Sequence, residues 1–211
     1  MPPGGVIERL SAAAGRDVSR ETFERVERFV GFLRDGAAKQ NLIAPSTMDA
    51  IWDRHILDSA QLLRFVPPGR SSWADVGSGA GLPGMVIAIL IDGPISLIEP
   101  RRLRANFLRE AAVALGLSER VTVECAKVER VEGRFDVITG RAVAALDRFL
   151  TIAGHLSLRE TIWVLPKGRN AQSELAQAKL NWHCEARVEQ SCTDPDSEIL
   201  VLTKVGARKR R

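Results

Sequence analysis

Trp73-Ala74-Asp75-Val76-Gly77-Ser78-Gly79-Ala80-Gly81-Leu82-Pro83-Gly84 is the stretch of sequence that decides the fold. Its apolar start predicts a short buried strand, and the apolar run 85–90 that follows predicts a helix. The glycines between them let the backbone take positive φ and approach a ligand closely, and Pro83 suits a first helical turn. We therefore predict a strand, a glycine-rich turn whose N–H groups are free to face a ligand, and a helix.

Two kinds of ligand fit a turn of this kind. The spacing of Gly79, Gly81 and Gly84 matches the dinucleotide-binding pattern, and Glu99 follows where that pattern places a ribose contact. Asp75 would repel a pyrophosphate, however, and would attract the ammonium group of S-adenosylmethionine. We predict that Asp75 and Glu99 bind the two ends of S-adenosylmethionine. The alternatives are a helix cap for Asp75 and a surface acid for Glu99.

The composition is that of an ordinary globular protein, with 45% hydrophobic and 27% charged residues. A length of 211 residues suits one α/β domain with a small addition. No apolar run approaches the ~20 residues of a membrane span, and no secretory signal is visible. The three cysteines form no CxxC pair and only three histidines are present. We therefore predict a cytoplasmic protein without a metal site.

The net charge of +4 is modest, but the basic residues are clustered at two places. Arg101, Arg102 and Arg104 follow the second predicted strand, and Arg208-Lys209-Arg210-Arg211 ends the sequence. Contacts with nucleic-acid phosphates would use both clusters. The alternative is a solvated face and a frayed tail.

The first part of the chain predicts three helices. Residues 6–15 form the first, Ser19 caps a second with Glu21 in its first turn, and Ser46 caps a third with Asp49 three residues on. An apolar stripe at helical spacing marks the second helix, and we interpret it as core. It consists of Phe23, Val26, Phe29, Val30 and Leu33.

From Trp73 onward, predicted strands and helices alternate, which favours a parallel sheet with right-handed crossovers. The last two strands alternate less cleanly and could pair as a hairpin. The predicted strands are 72–76, 95–99, 121–125, 135–139, 161–165, 182–190 and 197–205, and the helices are 83–91, 101–116, 143–156 and 171–180. We assign residues 1–65 to an N-terminal helical extension and residues 66–211, which begin with the linker 66–69, to the main domain.

Ligands of such sheets lie beyond the carboxyl ends of the strands. The loops after the first four strands contain Gly77–Gly84, Glu99, Lys127–Glu129 and Gly140–Ala142. We predict that these four loops converge on one crevice and that the ligand binds there.

The third predicted helix carries Arg54-His55-Ile56-Leu57-Asp58-Ser59. His55 lies three residues before Asp58 and four before Ser59, so the three side chains share a face. Neighbouring positions on one helix rarely give the in-line arrangement of a hydrolase triad, and no oxyanion loop is evident. We favour a polar patch beside the ligand site or a structural hydrogen-bond cluster.

Several of these segments together resemble a known family. They are Asn41-Leu42, Arg54–Ser59, Asp75–Gly84, Phe107-Leu108, Leu115–Leu117, Phe135-Asp136, Arg141-Ala142 and Lys167-Gly168. Over roughly residues 40–170 the chain resembles the bacterial small-subunit ribosomal RNA methyltransferase G family, also called glucose-inhibited division protein B. The resemblance implies an α/β, Rossmann-like, seven-stranded S-adenosylmethionine-dependent methyltransferase fold with an N-terminal helical addition. It also implies methylation of N7 of one guanine in the decoding-region loop of 16S rRNA, within the 30S subunit or an assembly intermediate.

The resemblance implies cofactor contacts at five positions, which are Gly77, Leu82, Val128, Glu129 and Arg141. The glycine-rich turn and the two acids add Asp75, Gly79 and Glu99 to the predicted cofactor-binding residues. Two positions depart from the family: Leu103 stands where a lysine is usual, and Lys127 where an arginine is usual. Leucine carries no charge, and lysine lacks the planar fork of arginine.

The residues fit a ring-nitrogen target. Guanine N7 has a lone pair and no proton, so its methylation needs no general base, and positioning alone can supply ~7–11 kcal/mol. Methylation of pyrimidine C5 would need a cysteine nucleophile, whereas Cys125 lies inside a predicted strand. Exocyclic amines are usually methylated beside an Asn/Asp-Pro-Pro-aromatic loop, and here the corresponding loop is Thr139–Ala142. Arg141 cannot act as a base, because a guanidinium stays protonated, so we assign it to positioning. The alternative is a structural salt bridge to Asp75 or Glu129.

Two other functions remain open from the sequence: an NAD-dependent oxidoreductase on the same kind of sheet, and a non-catalytic RNA-binding protein. Calorimetry with S-adenosylhomocysteine and NADH would separate the first from a methyltransferase, and mass spectrometry of cellular rRNA would separate the second. We predict no membrane partner and favour a monomer.

Overall fold

The computed structural model describes residues 3–67, 69 and 72–208, with the backbone alone at Pro3 and Gly4. Lys209, Arg210 and Arg211 of the predicted basic tail, and Pro68 of the predicted linker, lie outside the described residues. Within the described part, no helix is long and apolar enough to cross a membrane.

The elements follow the predicted alternation. The helices are α1 Pro3–Ala14, α2 Arg20–Ala37, α3 Asp58–Ala60, α4 Gly84–Leu90, α5 Arg102–Ala114, α6 Leu146–Ala153 and α7 Ala171–Ala178. The strands are β1 Trp73–Val76, β2 Ile95–Ile98, β3 Val121–Glu124, β4 Phe135–Thr139, β5 Ser157–Lys167, β6 Trp182–Gln190 and β7 Glu198–Ala207. The π-helical turn Trp52–Leu57 leads into α3, which leads into the 3₁₀ turn Gln61–Phe65; the other 3₁₀ turns are Pro45–Thr47, Val128–Arg130 and Gly154–Leu156.

The seven strands form one sheet in the order β3-β2-β1-β4-β5-β7-β6. Strands β1 to β5 pair in parallel, as predicted. β7 runs antiparallel to β5 and pairs with β6, which confirms the predicted hairpin. The order reverses between β1 and β4, and that point is where sheets of this kind bind ligands.

Two hydrophobic cores lie on opposite faces of the sheet, because successive residues of a strand point to opposite sides. Val137 of β4 belongs to the core that contains Phe29 of α2, whereas Ile138 belongs to the core that contains Phe149 of α6. Every residue of α4 is buried. The N-terminal helices therefore cover α4 and share one core with the sheet.

Ser19 caps α2 as predicted, since its Oγ accepts the N–H of Thr22 at 3.2 Å. The predicted cap at Ser46 is wrong. Residues Pro45–Thr47 form only a 3₁₀ turn, and the next helical segment begins at Trp52. The Thr47 hydroxyl donates to the carbonyl oxygen of Ala44 at 2.8 Å, so this hydrogen bond stays within the turn and does not start a helix.

Candidate functional site

The turn between β1 and α4 is held by hydrogen bonds within the protein. The N–H groups of Gly77 and Ser78 donate to the carbonyl oxygen of Ile98 at 2.8 and 3.1 Å. The N–H of Gly84 donates to Asp75 Oδ2 at 3.1 Å. The prediction that the N–H groups of this turn are free is therefore wrong at these positions, because the end of β2 and a buried acid accept them.

Three glycines of the turn have the positive φ that the sequence predicts: Gly77 at 72°, Gly79 at 56° and Gly81 at 84°. Gly77 also allows a close approach, since a Cβ there would lie 2.8 Å from Cγ2 of Val143 in the loop after β4. The loops after β1 and β4 therefore meet at Gly77.

Asp75 is fully buried in β1. Its Oδ2 acts as a cap at the start of α4, whereas Oδ1 is buried with no hydrogen-bond partner among the described residues. Burial raises the pKa of Asp75 from 3.8 to about 6, although the Ser78 hydroxyl, the Gly84 N–H and the nearby Arg141 act in the opposite direction. An orphaned carboxylate oxygen in such a place is suited to a cationic donor.

Glu99 follows β2 and is only 3% exposed, so the surface-acid interpretation is wrong. Its Oε2 accepts the N–H of Gly79 at 2.9 Å, and its Oε1 accepts the N–H of Arg101 at 2.9 Å. Each carboxylate oxygen has two lone pairs, so both can accept one hydrogen bond more. Glu99 thus fixes the glycine turn to the end of β2 and keeps acceptor capacity beside it.

Three further predicted cofactor residues lie in this turn or after β3. Leu82 is buried within the turn. Val128 and Glu129 lie in the 3₁₀ turn after β3, Val128 buried and Glu129 exposed. Cys125 is exposed just past the end of β3, not inside the strand as predicted, and β2 and β1 separate that strand from β4.

Arg141 follows β4 and forms an ion pair with Asp58, a partner that the sequence did not reveal. Its Nη1 lies 2.8 Å from Asp58 Oδ2, and its Nη2 lies 3.4 Å from His55 Nδ1. His55 Nε2 lies 2.9 Å from the hydroxyl of Thr47. Because that hydroxyl already donates to Ala44, we assign the His55 proton to Nε2, which leaves Nδ1 as an acceptor for Arg141. Burial, followed by the charge of Arg141, lowers the pKa of His55 to about 4.

His55 and Asp58 face the same partner, as their helical spacing predicts, and they form a polar patch with Arg141. Ser59 is 1% exposed and donates its hydroxyl to the carbonyl oxygen of His55. Its hydroxyl is thus not presented as a nucleophile, which agrees with the rejection of a hydrolase triad.

A second set of contacts, absent from the sequence analysis, joins the Asp58 segment to the loop between β6 and β7. Asp58 Oδ1 accepts from Gln61 Nε2 at 2.9 Å and from the Thr193 hydroxyl at 3.1 Å. Buried Gln61 also donates to Ser191 Oγ at 3.0 Å and accepts the N–H of Cys192 at 2.8 Å. Gln61 lies 130 and 131 positions from Ser191 and Cys192 in the sequence, so no local pattern could have indicated these contacts.

A cavity of about 430 Å³ opens beside Arg141, between the loops after β4 and β5 and the β6–β7 loop. Its lining includes Asp58, Arg141, Val143, Lys167, Glu174 and Ile199. The Lys167 Nζ donates to Glu174 Oε2 at 2.8 Å, and both side chains are largely buried, with 12% and 26% exposed. Since Val143 lines this cavity and also lies against Gly77, the cavity adjoins the glycine turn.

The basic cluster at the start of α5 is only partly free. Arg101 and Arg102 are exposed, whereas Arg104 donates to the carbonyl oxygen of Asn41 at 3.0 Å. Leu103, one of the two departures from the family pattern, is 69% exposed. The described residues contain no group of three or more His, Cys, Asp or Glu side chains arranged to hold a metal ion.

Similarity to known proteins agrees with this geometry. The profile of the rRNA small subunit methyltransferase G family matches residues 22–199. The chain belongs to this family. It is 44% identical to the ribosomal RNA small subunit methyltransferase G of Zymomonas mobilis, over 92% of this chain and 91% of that protein. It is 49% identical to the protein of the same name from Sphingopyxis alaskensis, over 92% of this chain and 83% of that protein.

Solved structures share the fold of the sheet at much lower identity. The ribosomal protein L11 methylase of Lactobacillus delbrueckii aligns over 72% of this chain and 78% of its own, with a TM-score of 0.59 and 13% identity. The glycopeptide N-methyltransferase MtfA, solved with S-adenosyl-L-methionine, aligns over 69% of this chain and 92% of its own, with a TM-score of 0.58 and 8% identity. These likenesses confirm the methyltransferase fold for a chain of the methyltransferase G family.

Proposed function

We propose that this member of the family transfers a methyl group from S-adenosyl-L-methionine to N7 of a single guanine in the decoding-region loop of 16S rRNA, within the 30S subunit or an assembly intermediate. The observation that carries the cofactor assignment is the pair of buried acids at the glycine turn. Asp75 keeps Oδ1 without a partner, and Glu99 keeps acceptor capacity on both oxygens.

The hydrogen bonding of the turn favours S-adenosylmethionine over a dinucleotide. A pyrophosphate site needs backbone N–H groups that point at the ligand. Here the N–H groups of Gly77, Ser78 and Gly84 are already bonded inside the protein, and two carboxylates lie beside them. We infer that Asp75 accepts the ammonium group of the cofactor and that Glu99 accepts the ribose hydroxyls. Gly77, Gly79, Leu82, Val128 and Glu129 complete the proposed cofactor-binding set.

The bound cofactor supplies an electrophilic methyl group on a sulfonium. Guanine N7 needs no deprotonation, so the residues of the protein only have to hold the base in line with that methyl group. Arg141 pairs with Asp58 and belongs to the loop after β4, whose Val143 lies against Gly77 of the proposed cofactor site. Its fork suits the cofactor carboxylate, an RNA phosphate or the guanine O6. We assign Arg141 to positioning both partners.

The test is a methylation assay with purified 16S rRNA and purified 30S subunits from cells that lack the gene. We expect transfer of one methyl group per subunit from labelled S-adenosylmethionine. Digestion and mass spectrometry should find 7-methylguanine at one position of the decoding-region loop. Methylation of another base or another ring position would refute the proposal.

Calorimetry tests the oxidoreductase interpretation, and the methylation assay tests the non-catalytic one. Binding of S-adenosylhomocysteine without binding of NADH is the expected result, and the reverse result would identify an oxidoreductase. A protein that binds rRNA and leaves it unmethylated in both substrates would be the non-catalytic alternative.

A further inference from the structure

The cavity beside Arg141 has the dimensions and walls of a small-ligand site. Its volume of about 430 Å³ falls within the ~300–1,000 Å³ of ligand pockets. Val143, Pro166 and Ile199 provide apolar walls. Because Val143 also touches the glycine turn at Gly77, a planar base in this cavity would have one edge next to the proposed cofactor site.

Lys167 and Glu174 form a donor–acceptor pair in the wall of this cavity. Lys167 Nζ donates to the carbonyl oxygen of Ala144 at 3.0 Å and to Glu174 Oε2 at 2.8 Å, so one of its three N–H groups remains available. Glu174 Oε2 also accepts the N–H of Leu146 at 2.8 Å. In the described part of the chain both donors go to Oε2, which leaves Oε1 able to accept.

The order of donor and acceptor matches one purine. Guanine presents the acceptor O6 next to the donor N1–H, whereas adenine presents a donor amine next to the acceptor N1. Lys167 can donate to O6 while Glu174 accepts from N1–H, and the same pair would set adenine's amine against an ammonium and its N1 against a carboxylate. N7 lies on the other side of O6 and stays unengaged. A site built this way rejects a mismatched analogue strongly, since its own polar groups would be left unpaired.

We propose that the Lys167–Glu174 pair is the specificity determinant that selects guanine over adenine, through O6 and N1–H of a base bound in this cavity. This inference rests on the proposed function. It adds the residues that choose the base, whereas the proposed function concerns the reaction and its target.

The first experiment changes the substrate. 30S subunits are reconstituted from ligated 16S rRNA that carries guanine, inosine, 2-aminopurine or adenine at the methylated position. Inosine keeps both O6 and N1–H, so we expect kcat/KM within a few-fold of guanine. 2-Aminopurine and adenine lack this pair, and we expect losses of about 100-fold or more. A loss on inosine as large as that on adenine would overturn the proposal, because recognition would then run through the 2-amino group.

The second experiment changes the protein. Glu174→Gln keeps an oxygen for Lys167 and Leu146 and therefore turns its NH₂ group toward the cavity, where it opposes N1–H of guanine and suits N1 of adenine. We expect kcat/KM for guanine to fall about tenfold or more. The ratio of kcat/KM for guanine to kcat/KM for adenine should fall by a still larger factor. The matched control is Glu185→Gln, which removes the same charge from the exposed Glu185–Lys204 pair on the β6–β7 hairpin.

The readouts distinguish this inference from the proposed function. Calorimetry with S-adenosylhomocysteine and thermal melting should give wild-type values for Glu174→Gln, which excludes a fold or cofactor defect. If the wild-type protein methylates guanine N7 and Glu174→Gln leaves the base preference unchanged, the Lys167–Glu174 pair is structural. In that case this inference fails while the proposed function stands. If the wild-type protein methylates no guanine, the proposed function fails first.

Discussion

Asp75 links cofactor affinity to pH. Its pKa of about 6 means that the carboxyl group of the free protein becomes protonated as the pH falls below that value. An ammonium group requires the ionised form, so the affinity for S-adenosylhomocysteine should fall by about tenfold for each pH unit below 6. Calorimetry between pH 5 and 7.5 measures this, and Asp75→Asn should flatten the profile. A wild-type affinity that is constant over the range would remove Asp75 from the site.

The stability of the free protein should depend on two opposed titrations. The pKa of Asp75 is raised, so its protonated form stabilises the fold by roughly 3 kcal/mol at low pH, and this contribution is lost as the pH rises from 3.8 to about 6. The pKa of His55 is lowered, so its contribution is present above 6.5 and is lost as the pH falls toward about 4. We expect the two effects to offset each other in the wild-type protein between pH 4 and 6. Asp75→Asn should therefore lose stability on acidification, as measured by urea unfolding.

Arg141→Lys separates positioning from stability. Lysine keeps the charge opposite Asp58 but loses the fork that reaches His55 and the carbonyl oxygen of Arg54. We expect methylation of 30S rRNA to fall more than tenfold, while the melting temperature hardly changes. Retained activity together with a lower melting temperature would make Arg141 part of the scaffold, and the contact suggested by the family would be wrong here.

The turn from β1 into α4 contains two glycines that are required for different reasons. A Cβ at Gly84 would lie 2.4 Å from both Asp75 Oδ2 and Leu97 Cδ2, so Gly84→Ala should cost about 1–3 kcal/mol of stability. A Cβ at Gly79 would meet nothing closer than 3.7 Å, but its φ of 56° excludes a β-branched residue without strain. We therefore expect Gly79→Val to lose S-adenosylhomocysteine binding with the fold largely kept. Thermal melting and calorimetry on both variants test this division.

Local patterns in the sequence predicted the elements well. The strand–turn–helix at 73–90, the Ser19 cap and the final hairpin all depend on neighbouring residues, and all are confirmed. The Ser46 cap is wrong because Ser46 lies inside a single 3₁₀ turn, whose N-cap is Ala44 without a side-chain cap hydrogen bond.

The contacts within the candidate site could not be predicted from local sequence patterns. The acceptor of the Gly77 and Ser78 N–H groups is Ile98 of β2, and the partner of Arg141 lies 83 positions earlier in the chain. The helical spacing of His55 and Asp58 indicated a shared face, but only the fold shows what that face contacts. The roles of the predicted cofactor residues stay predictions until binding is measured.

The predicted division into a helical extension, residues 1–65, and a main domain, residues 66–211, has a testable consequence for the stability of the whole molecule. All of α4 is buried, and the residues that cover it come from the first 65 positions as well as from the sheet. Gln61 and Asp58 further tie that segment to the β6–β7 loop. We therefore expect a chain that begins at residue 66 to lack cooperative thermal unfolding, as followed by circular dichroism. A sharp transition in that truncated chain would establish the main domain as an independent folding unit.

The covering of α4 by the N-terminal helices also sets an order of events during translation. α2 ends at Ala37, whereas α4, on which it packs, ends at Leu90, so 53 further residues must be synthesised before the two can meet. At about 5–20 residues per second this takes roughly 3–10 s. α2 leaves the ribosome ahead of α4 by the same interval, and its apolar stripe lacks this partner until α4 emerges. We therefore expect the nascent chain to expose an apolar surface of the kind that holding chaperones bind until α4 has folded against it.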